Sequence, residues 1–428
     1  MNYKTYSLKN FSTLPQVQSS LTKEEIDAIR VVGNVLPFKA NNYIVEELID
    51  WNNLPNDPIF QLTFPQKEML SQKHFKEMEK ALNHNYSKAE LKAVANKIRY
   101  ELNPHPSGQK DNIPVLDASK LLGIQHKYKE TVLFFPSNSQ TCHAYCTFCF
   151  RWPQFVGIKD LKFSMEETDL LVKYLQEHPE VTDVLITGGD PLVMSAKKLQ
   201  EYIDPLLNAD LPNLQSIRIG SKSLSYWPYR FINDKDTDDL LSLFEKVVNS
   251  GIQLAFMAHF NHSNELKTRA VQTAIKRILN TGAVIRTQSP IMNHINNCGD
   301  EWAKMWKLQV KLGCIPYYMF VARDTGAQGY FAVTLENAWK VYRKAYNQVS
   351  GLARTVRGPI MSANPGKVQI LGVSEIGNRK LFVLRFIQGR NPNWSGRPFF
   401  AKYNSDAIWL TDLKPVEGKD KFFFEKEI

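Results

Sequence analysis

Cys142-His143-Ala144-Tyr145-Cys146-Thr147-Phe148-Cys149, CHAYCTFC in one-letter code, puts three thiols at i, i+4 and i+7. Three thiolates that close can converge on one small object, and soft sulfur ligands suit iron–sulfur clusters. A four-iron cluster normally takes four such ligands, so three cysteines leave one iron open to something else. The competing reading is a structural zinc or idle buried thiols, but zinc asks for a fourth protein ligand. The stretch follows an apolar run at 132–135 and precedes a helical pattern, which predicts a loop between strand and helix.

That run is the first of six, at 132–135, 184–187, 217–220, 254–258, 284–287 and 317–321. Between them lie amphipathic helical patterns, including 164–177, 236–249, 265–280 and 302–312. Ser164 with Glu167 reads as a capping box, and Gly251, Gly282 and Gly313 stand where C-terminal caps belong. Strands alternating with helices imply parallel βαβ units. The predicted class is α/β, a partial (β/α)6 barrel of the TIM type, with ligand sites at the carboxyl ends of the strands. Polar groups are expected at that mouth: Thr187-Gly188-Gly189-Asp190-Pro191, Arg218-Ile219-Gly220-Ser221-Lys222, His259-Phe260-Asn261-His262 and Gln288-Ser289-Pro290. Adjacent glycines let backbone approach a ligand, and Asp190 can receive an ammonium group. The two histidines lack a carboxylate or third histidine at a metal spacing, which favours hydrogen-bonding or structural roles.

The barrel pattern spans about 126–325. Before it, residues 1–125 read as helices and loops, with a capping box at Thr22 and Glu25 and a further helix after Ser87. The stretch 103–112, with Pro104, Pro106 and Gly108, reads as a linker. Residues 326–428 read as a small α+β region, with strands expected at 381–387, 398–403 and 407–413. Ahead of them, Asn364-Pro365-Gly366-Lys367 holds a lysine behind a turn, where its amine could meet a carbonyl compound as a Schiff base.

The 428 residues are 43% hydrophobic and contain no apolar run long enough to span a membrane. The N-terminus lacks a signal-peptide pattern, and five cysteines, three of them clustered, argue against a disulfide scaffold. A cytoplasmic location is expected. The net charge of +10 permits a nucleic-acid partner, but the lysines are scattered along helices and read as a solvated face.

Taken in order, these motifs resemble the lysine 2,3-aminomutase family of radical S-adenosylmethionine enzymes, as a divergent member. The matching stretches are Asn56-Asp57-Pro58-Ile59, CHAYCTFCFR, ITGGDPL, RIGS, HFNHSNE, TQS, Ile295-Asn296-Asn297-Cys298, PYY at 316–318, and Lys367. The resemblance implies a [4Fe-4S] cluster on Cys142, Cys146 and Cys149, with S-adenosylmethionine on the open iron and near Gly188, Gly189, Asp190, Ser221 and Gln288. It also implies pyridoxal phosphate on Lys367, and Arg151 as the clamp for an amino acid's α-carboxylate. Lys127, Tyr128 and Thr131 stand where family arginines hold the cofactor phosphate. The two family aspartates that grip lysine's distal ammonium align with Arg323 (or, one residue out of register, Asp324) and with Ser362. An arginine facing an ammonium is repulsive. The expected enzyme is therefore an isomerase that moves the α-amino group of a glutamate-like acid, rather than lysine, to the β-carbon. Its expected partners are the small amino acid and an electron donor such as flavodoxin or ferredoxin, with a homo-oligomer as a further expectation. Cys298 matches a zinc-site cysteine whose C-terminal partners are missing. Two other readings stand beside this one: a radical enzyme without pyridoxal phosphate acting on another small or peptide-bound substrate, and a non-catalytic iron–sulfur protein binding RNA or a protein.

Overall fold

Among the described residues, eleven strands form one sheet in which every strand lies beside its neighbours in sequence. We number them β1 (Ile124–Tyr128), β2 (Thr131–Phe134), β3 (Asp183–Ile186), β4 (Ser216–Ser221), β5 (Gln253–His259), β6 (Val284–Ile291), β7 (Ile315–Val321), β8 (Arg357–Ser362), β9 (Gly366–Ile376), β10 (Arg379–Gly389) and β11 (Pro398–Lys402). The computed structural model describes residues 1–103, 112–157, 163–416, 418 and 420–426; the linker reading at 103–112 falls almost wholly outside the described residues. Strands β2 to β8 run parallel. At the edges, β1 pairs antiparallel with β2, and β8 to β11 form an antiparallel meander.

The six sequence-predicted strands are β2 to β7, and β8 adds a seventh parallel strand where none was expected. Its Gly358 and Pro359 are depleted in strands, because proline cannot donate to the ladder. They are tolerated here where the β7–β8 register is irregular. The expected small C-terminal sheet is instead an extension of the barrel sheet, although it carries its own apolar cluster around Phe382, Phe386, Trp394 and Phe399. The expected strand at 407–413 does not form. Those residues make a 3-10 turn at Leu410–Asp412 that buries Ala407, Trp409 and Leu413 against that cluster.

Strands β3, β4 and β6 have two unlike faces. Val184, Ile186, Ile217, Ile219 and Ile285 are fully buried toward the outer helices, and the Thr287 hydroxyl donates to Gln309 on the helix Gly299–Lys311 at 2.8 Å. Asp183, Arg218, Arg286 and Gln288 alternate with them and face the opposite way. Most parallel sheets are apolar on both faces; this one encloses a polar lumen. The sheet curls until its first strand meets its eighth and ninth. Lys127 on β1 donates to the Ala363 carbonyl in the β8–β9 turn, and the Lys367 amine lies 4.3 Å from the centre of the Tyr128 ring.

The outer helices include Thr168–Glu177, Ala196–Asn208, Thr237–Asn249, Arg269–Asn280, Gly299–Lys311 and Leu335–Tyr346. The box at Thr22 and Glu25 forms, and so does one at Ser87 and Glu90. That at Ser164 and Glu167 does not. The helix starts only at Thr168, and the Ser164 hydroxyl meets Ser137 at 3.3 Å instead. The helix expected from 265 is likewise split into a 3-10 turn, Ser263–Leu266, and a helix capped by Thr268. Gly251, Gly282 and Gly313 do close their helices, with φ of 87°, 84° and 85°. No described helix is long and apolar enough to cross a membrane.

Candidate active site

The cysteine loop leaves the carboxyl end of β2 and is held from outside by the N-terminal region. Tyr145 N donates to Lys39 O at 2.8 Å and Thr147 N to Leu62 O at 3.0 Å. Lys39 Nζ reaches Cys142 O at 2.7 Å, Thr147 Oγ1 reaches Gln61 O at 2.7 Å, and the Tyr3 hydroxyl reaches His143 O at 2.6 Å. Sequence reasoning missed these residues, and no motif marks them except Asn56-Asp57-Pro58, where Asp57 caps the helix Pro58–Thr63 that ends beside Thr147. Burial pushes the Cys146 thiol up to about 12 and the Cys149 thiol up to about 11. Cys142 is raised too, by burial and then by Asp190 and the other two cysteines. Three desolvated thiols that oppose one another's ionisation need strong positive charge to become thiolates. A cluster's irons supply that. Among the described residues no three His, Cys, Asp or Glu side chains converge on a single ion.

Gly188-Gly189-Asp190, beyond β3, docks on the segment leading into Cys142. Gly189 N donates to Ser139 O at 2.9 Å and Asp190 N to Thr141 O at 2.7 Å. A Cβ on Gly188 would stand 2.5 Å from Ser139 Oγ, and one on Gly189 would overlap Thr141 O. The close approach read into these glycines is thus to the chain's own loop. The Asp190 carboxylate is buried, which raises its pKa. It accepts from Ser221 Oγ at 2.8 Å, Lys222 N at 2.9 Å and Leu192 N at 3.0 Å. Any ammonium it receives must share it with those donors.

Beside this, Lys222 donates to Glu265 at 2.7 Å and Asn261 at 2.8 Å while standing 4.2 Å over Tyr226. His259 stacks on Phe148, with ring centres 5.7 Å apart, and burial lowers its pKa to about 3. Its Nδ1 is buried without a hydrogen-bond partner. Two groups expected at the mouth lie inside strands. Gln288 is within β6 on the lumen side, and Arg218 within β4 donates to Asp183, at the amino end of β3.

The remaining residues meet beyond the carboxyl ends of β2 and β7 and at the β8–β9 turn. Arg151 lies 4.3 Å from the Phe135 ring centre and 5.2 Å from that of Phe150; Arg323 lies 5.1 Å from the same Phe150 ring. Arg151 Nη1 and Arg323 Nε are buried without a hydrogen-bond partner. Lys127, next to Arg323, is lowered to about 7 by burial and then by Arg323 and Arg390. Ser362 on β8 pairs directly with Lys367 on β9, whose amine donates to Gln388 and sits between the Tyr128 and Tyr318 rings. Burial, then Arg218, Lys127 and Arg357, drive the Lys367 amine well below the usual ammonium range. A desolvated lysine among cations is the kind that acts as a nucleophile at neutral pH. The aromatic walls and cations around it fit a flat, anionic carbonyl cofactor.

A curled parallel barrel with three cysteines on the loop after its first parallel strand is the architecture of a radical S-adenosylmethionine enzyme. No family-level sequence model matches the chain. Individual proteins do. It is 30% identical over 402 residues to a protein of Aquifex aeolicus named "Putative L-lysine 2,3-aminomutase", covering 94% of each chain. It is 28% identical over 300 residues to the L-lysine 2,3-aminomutase of Clostridium subterminale, covering 70% of this chain and 60% of that one. Among solved structures, a radical SAM methyltransferase from Sphaerobacter thermophilus superposes with a TM-score of 0.39 at 13% identity, over 55% of this chain and 68% of that one. The chain belongs to the lysine 2,3-aminomutase family of radical S-adenosylmethionine enzymes.

Proposed function

We propose that this enzyme is an amino acid 2,3-aminomutase that uses pyridoxal phosphate and acts on an α-amino acid with an anionic far end, glutamate being the first candidate. The observation that carries this is the pairing of Arg323 with Arg151 on one Phe150 ring, each with a buried, unpartnered nitrogen. Among the described residues neither guanidinium forms a salt bridge, the neighbouring Asp324 acting on Arg323 only through space, and two such groups suit a substrate that brings two carboxylates, because a planar fork pairs with a carboxylate bidentately. Arg151 takes the α-carboxylate, Arg323 the distal one, and Ser362 hydrogen-bonds beside it. Lys367, biased toward its neutral amine, would hold the cofactor's aldehyde end, and the buried Phe135 covers Arg151. The cluster with S-adenosylmethionine supplies hydrogen-atom abstraction, and pyridoxal phosphate supplies the group on which nitrogen migrates.

In this reading the chain divides by task. Residues 1–125 clasp the cysteine loop, 126–325 carry the cluster and S-adenosylmethionine, and 326–428 bring Lys367 and Ser362. Asp190, Ser221 and Gln288 line the S-adenosylmethionine side, and Lys127 and Tyr128 the pyridoxal side. An external electron donor of the flavodoxin or ferredoxin kind reduces the cluster.

The test is competition between glutamate and lysine for the anaerobically reconstituted enzyme. Glutamate should turn over, and Arg323→Asp should lower its kcat/KM about a hundredfold, the scale for stranding one member of a buried charge pair. Turnover of lysine by the unaltered protein with glutamate inert would end the proposal.

A further inference from the structure

The lumen carries more positive charge than an amino acid substrate accounts for. Asp183, a carboxylate near Lys367, is engaged by Arg218 Nε at 2.8 Å, Ser216 Oγ at 2.7 Å and Thr131 Oγ1 at 3.0 Å. Two further arginines share that space. Arg286 faces the lumen from β6, because Ile285 and Thr287 on either side of it face the helices. Arg357 enters from the first position of β8. Both rest on Tyr317, at 5.2 Å and 4.4 Å from its ring centre, and Arg357 also lies 4.3 Å from that of Tyr318. A register shift in β7 makes this possible. Thr287 pairs with Pro316 and Gln288 with Tyr318, so Tyr317 is the extra residue of a bulge and both tyrosine rings reach the arginines. Among the described residues neither guanidinium meets a carboxylate or a hydrogen-bond acceptor; aromatic faces are their only support.

We propose that Arg286 and Arg357, sharing the Tyr317 ring, form a phosphate-binding subsite in the lumen beside Lys367. A phosphate monoester fits better than a carboxylate: two fixed, uncompensated guanidiniums call for a dianion with three oxygens, and each fork can take two of them. The neighbouring polar groups are committed elsewhere. Lys127 binds the Ala363 carbonyl and Thr131 binds Asp183. Lys367 supplies a second attachment point: its amine lies 5.6 Å and Arg357 4.3 Å from the centre of the same Tyr318 ring. A ligand with an aldehyde at one end and a phosphate at the other therefore spans Lys367 and this pair. Naming pyridoxal phosphate as that ligand rests on the function proposed above; the phosphate subsite itself does not.

The test uses the full-length, anaerobically reconstituted protein and three probes: pyridoxal phosphate, pyridoxal and inorganic phosphate. The first two are followed by absorbance of the lysine-bound carbonyl and the third by calorimetry, for the unaltered protein, Arg286→Gln and Arg357→Gln. Iron content and thermal melting establish that each variant is folded, and Arg286→Lys stands in should a glutamine variant not fold. Each glutamine variant should weaken pyridoxal phosphate about tenfold or more while leaving pyridoxal unchanged, the scale of one charged hydrogen-bonding partner. Arg286→Lys should lose less than that. If the unaltered protein takes up no pyridoxal phosphate, yet binds phosphate and loses it in the variants, the subsite stands with free phosphate as occupant and the role given to Lys367 fails instead. Equal affinity for pyridoxal and pyridoxal phosphate, or variants that bind all three probes as before, would overturn the proposal.

Discussion

The amine of Lys367 owes its character to the cations and rings folded around it, not to its neighbours in sequence. Burial and the proximity of Arg218, Lys127 and Arg357 all favour the neutral form. Because the pKa is depressed, the uncharged amine persists as pH falls through the range where an ordinary lysine is already protonated. Capture of pyridoxal phosphate, trapped with borohydride and located by peptide mass spectrometry, should therefore fall less steeply between pH 9 and about 7.5 at Lys367 than at surface lysines. Surface lysines should lose about tenfold per pH unit over the same span. A steep loss at Lys367 would mean a normal amine. In the sequence the three cysteines stand out by their spacing alone, whereas this lysine, behind Pro365-Gly366, reads like any surface lysine until the family resemblance singles it out. Arg286 and Arg357 were not readable. Their direction is set by strand register and by a bulge, and Arg357 belongs to a strand that Gly358 and Pro359 disguise as a loop.

At the scale of elements, the Gly188-Gly189-Asp190 turn ties the loop after β3 to the start of the cysteine loop and to the end of β4. Asp190 is the knot, with Ser221 Oγ, Lys222 N and Leu192 N all donating to a carboxylate that is 3% exposed. The sequence shows an acidic residue behind two glycines. It does not show that the carboxylate is already hydrogen-bonded or that the glycines make room for Ser139 and Thr141. Asp190→Ala strands three buried donors and should cost about 3 kcal/mol in urea unfolding. Asp190→Asn keeps an acceptor and should cost less than half of that. Equal, small losses in both variants would show that the carboxylate is not structural. The unformed box at Ser164 and Glu167 has a related cause: Ser164 sits against Ser137, beside the bridge between Met165 and Pro136, and so belongs to the wall of the cysteine loop.

At the scale of the whole molecule, the order of strands along the sheet repeats the order along the chain, and this made the barrel legible from periodicity alone. The wrapping of residues 1–62 over the cysteine loop was not, because it depends on contacts more than 80 residues apart, among them Tyr3 with His143 and Gln61 with Thr147. The strand Thr5–Tyr6 pairs with Ala40–Asn41, immediately after Lys39, whose amine binds the Cys142 carbonyl. Tyr3 also packs edge-on against Trp227, with ring centres 4.8 Å apart. The short strand is mostly exposed and buries little apolar surface, so deleting residues 1–6 should leave global stability within about 1 kcal/mol. What the deletion removes is the cover over His143 and the partner that fixes Ala40 and Asn41. Local opening of such a cover exposes buried thiolates and irons to oxidant without global unfolding. The truncated protein should therefore load iron and melt like the full chain, yet lose its visible cluster absorbance several-fold faster in air. Tyr3→Phe, which loses only the hydrogen bond to the His143 carbonyl, should fall between the two. Identical decay rates in all three proteins would show that the N-terminal strand does not guard the cysteine loop.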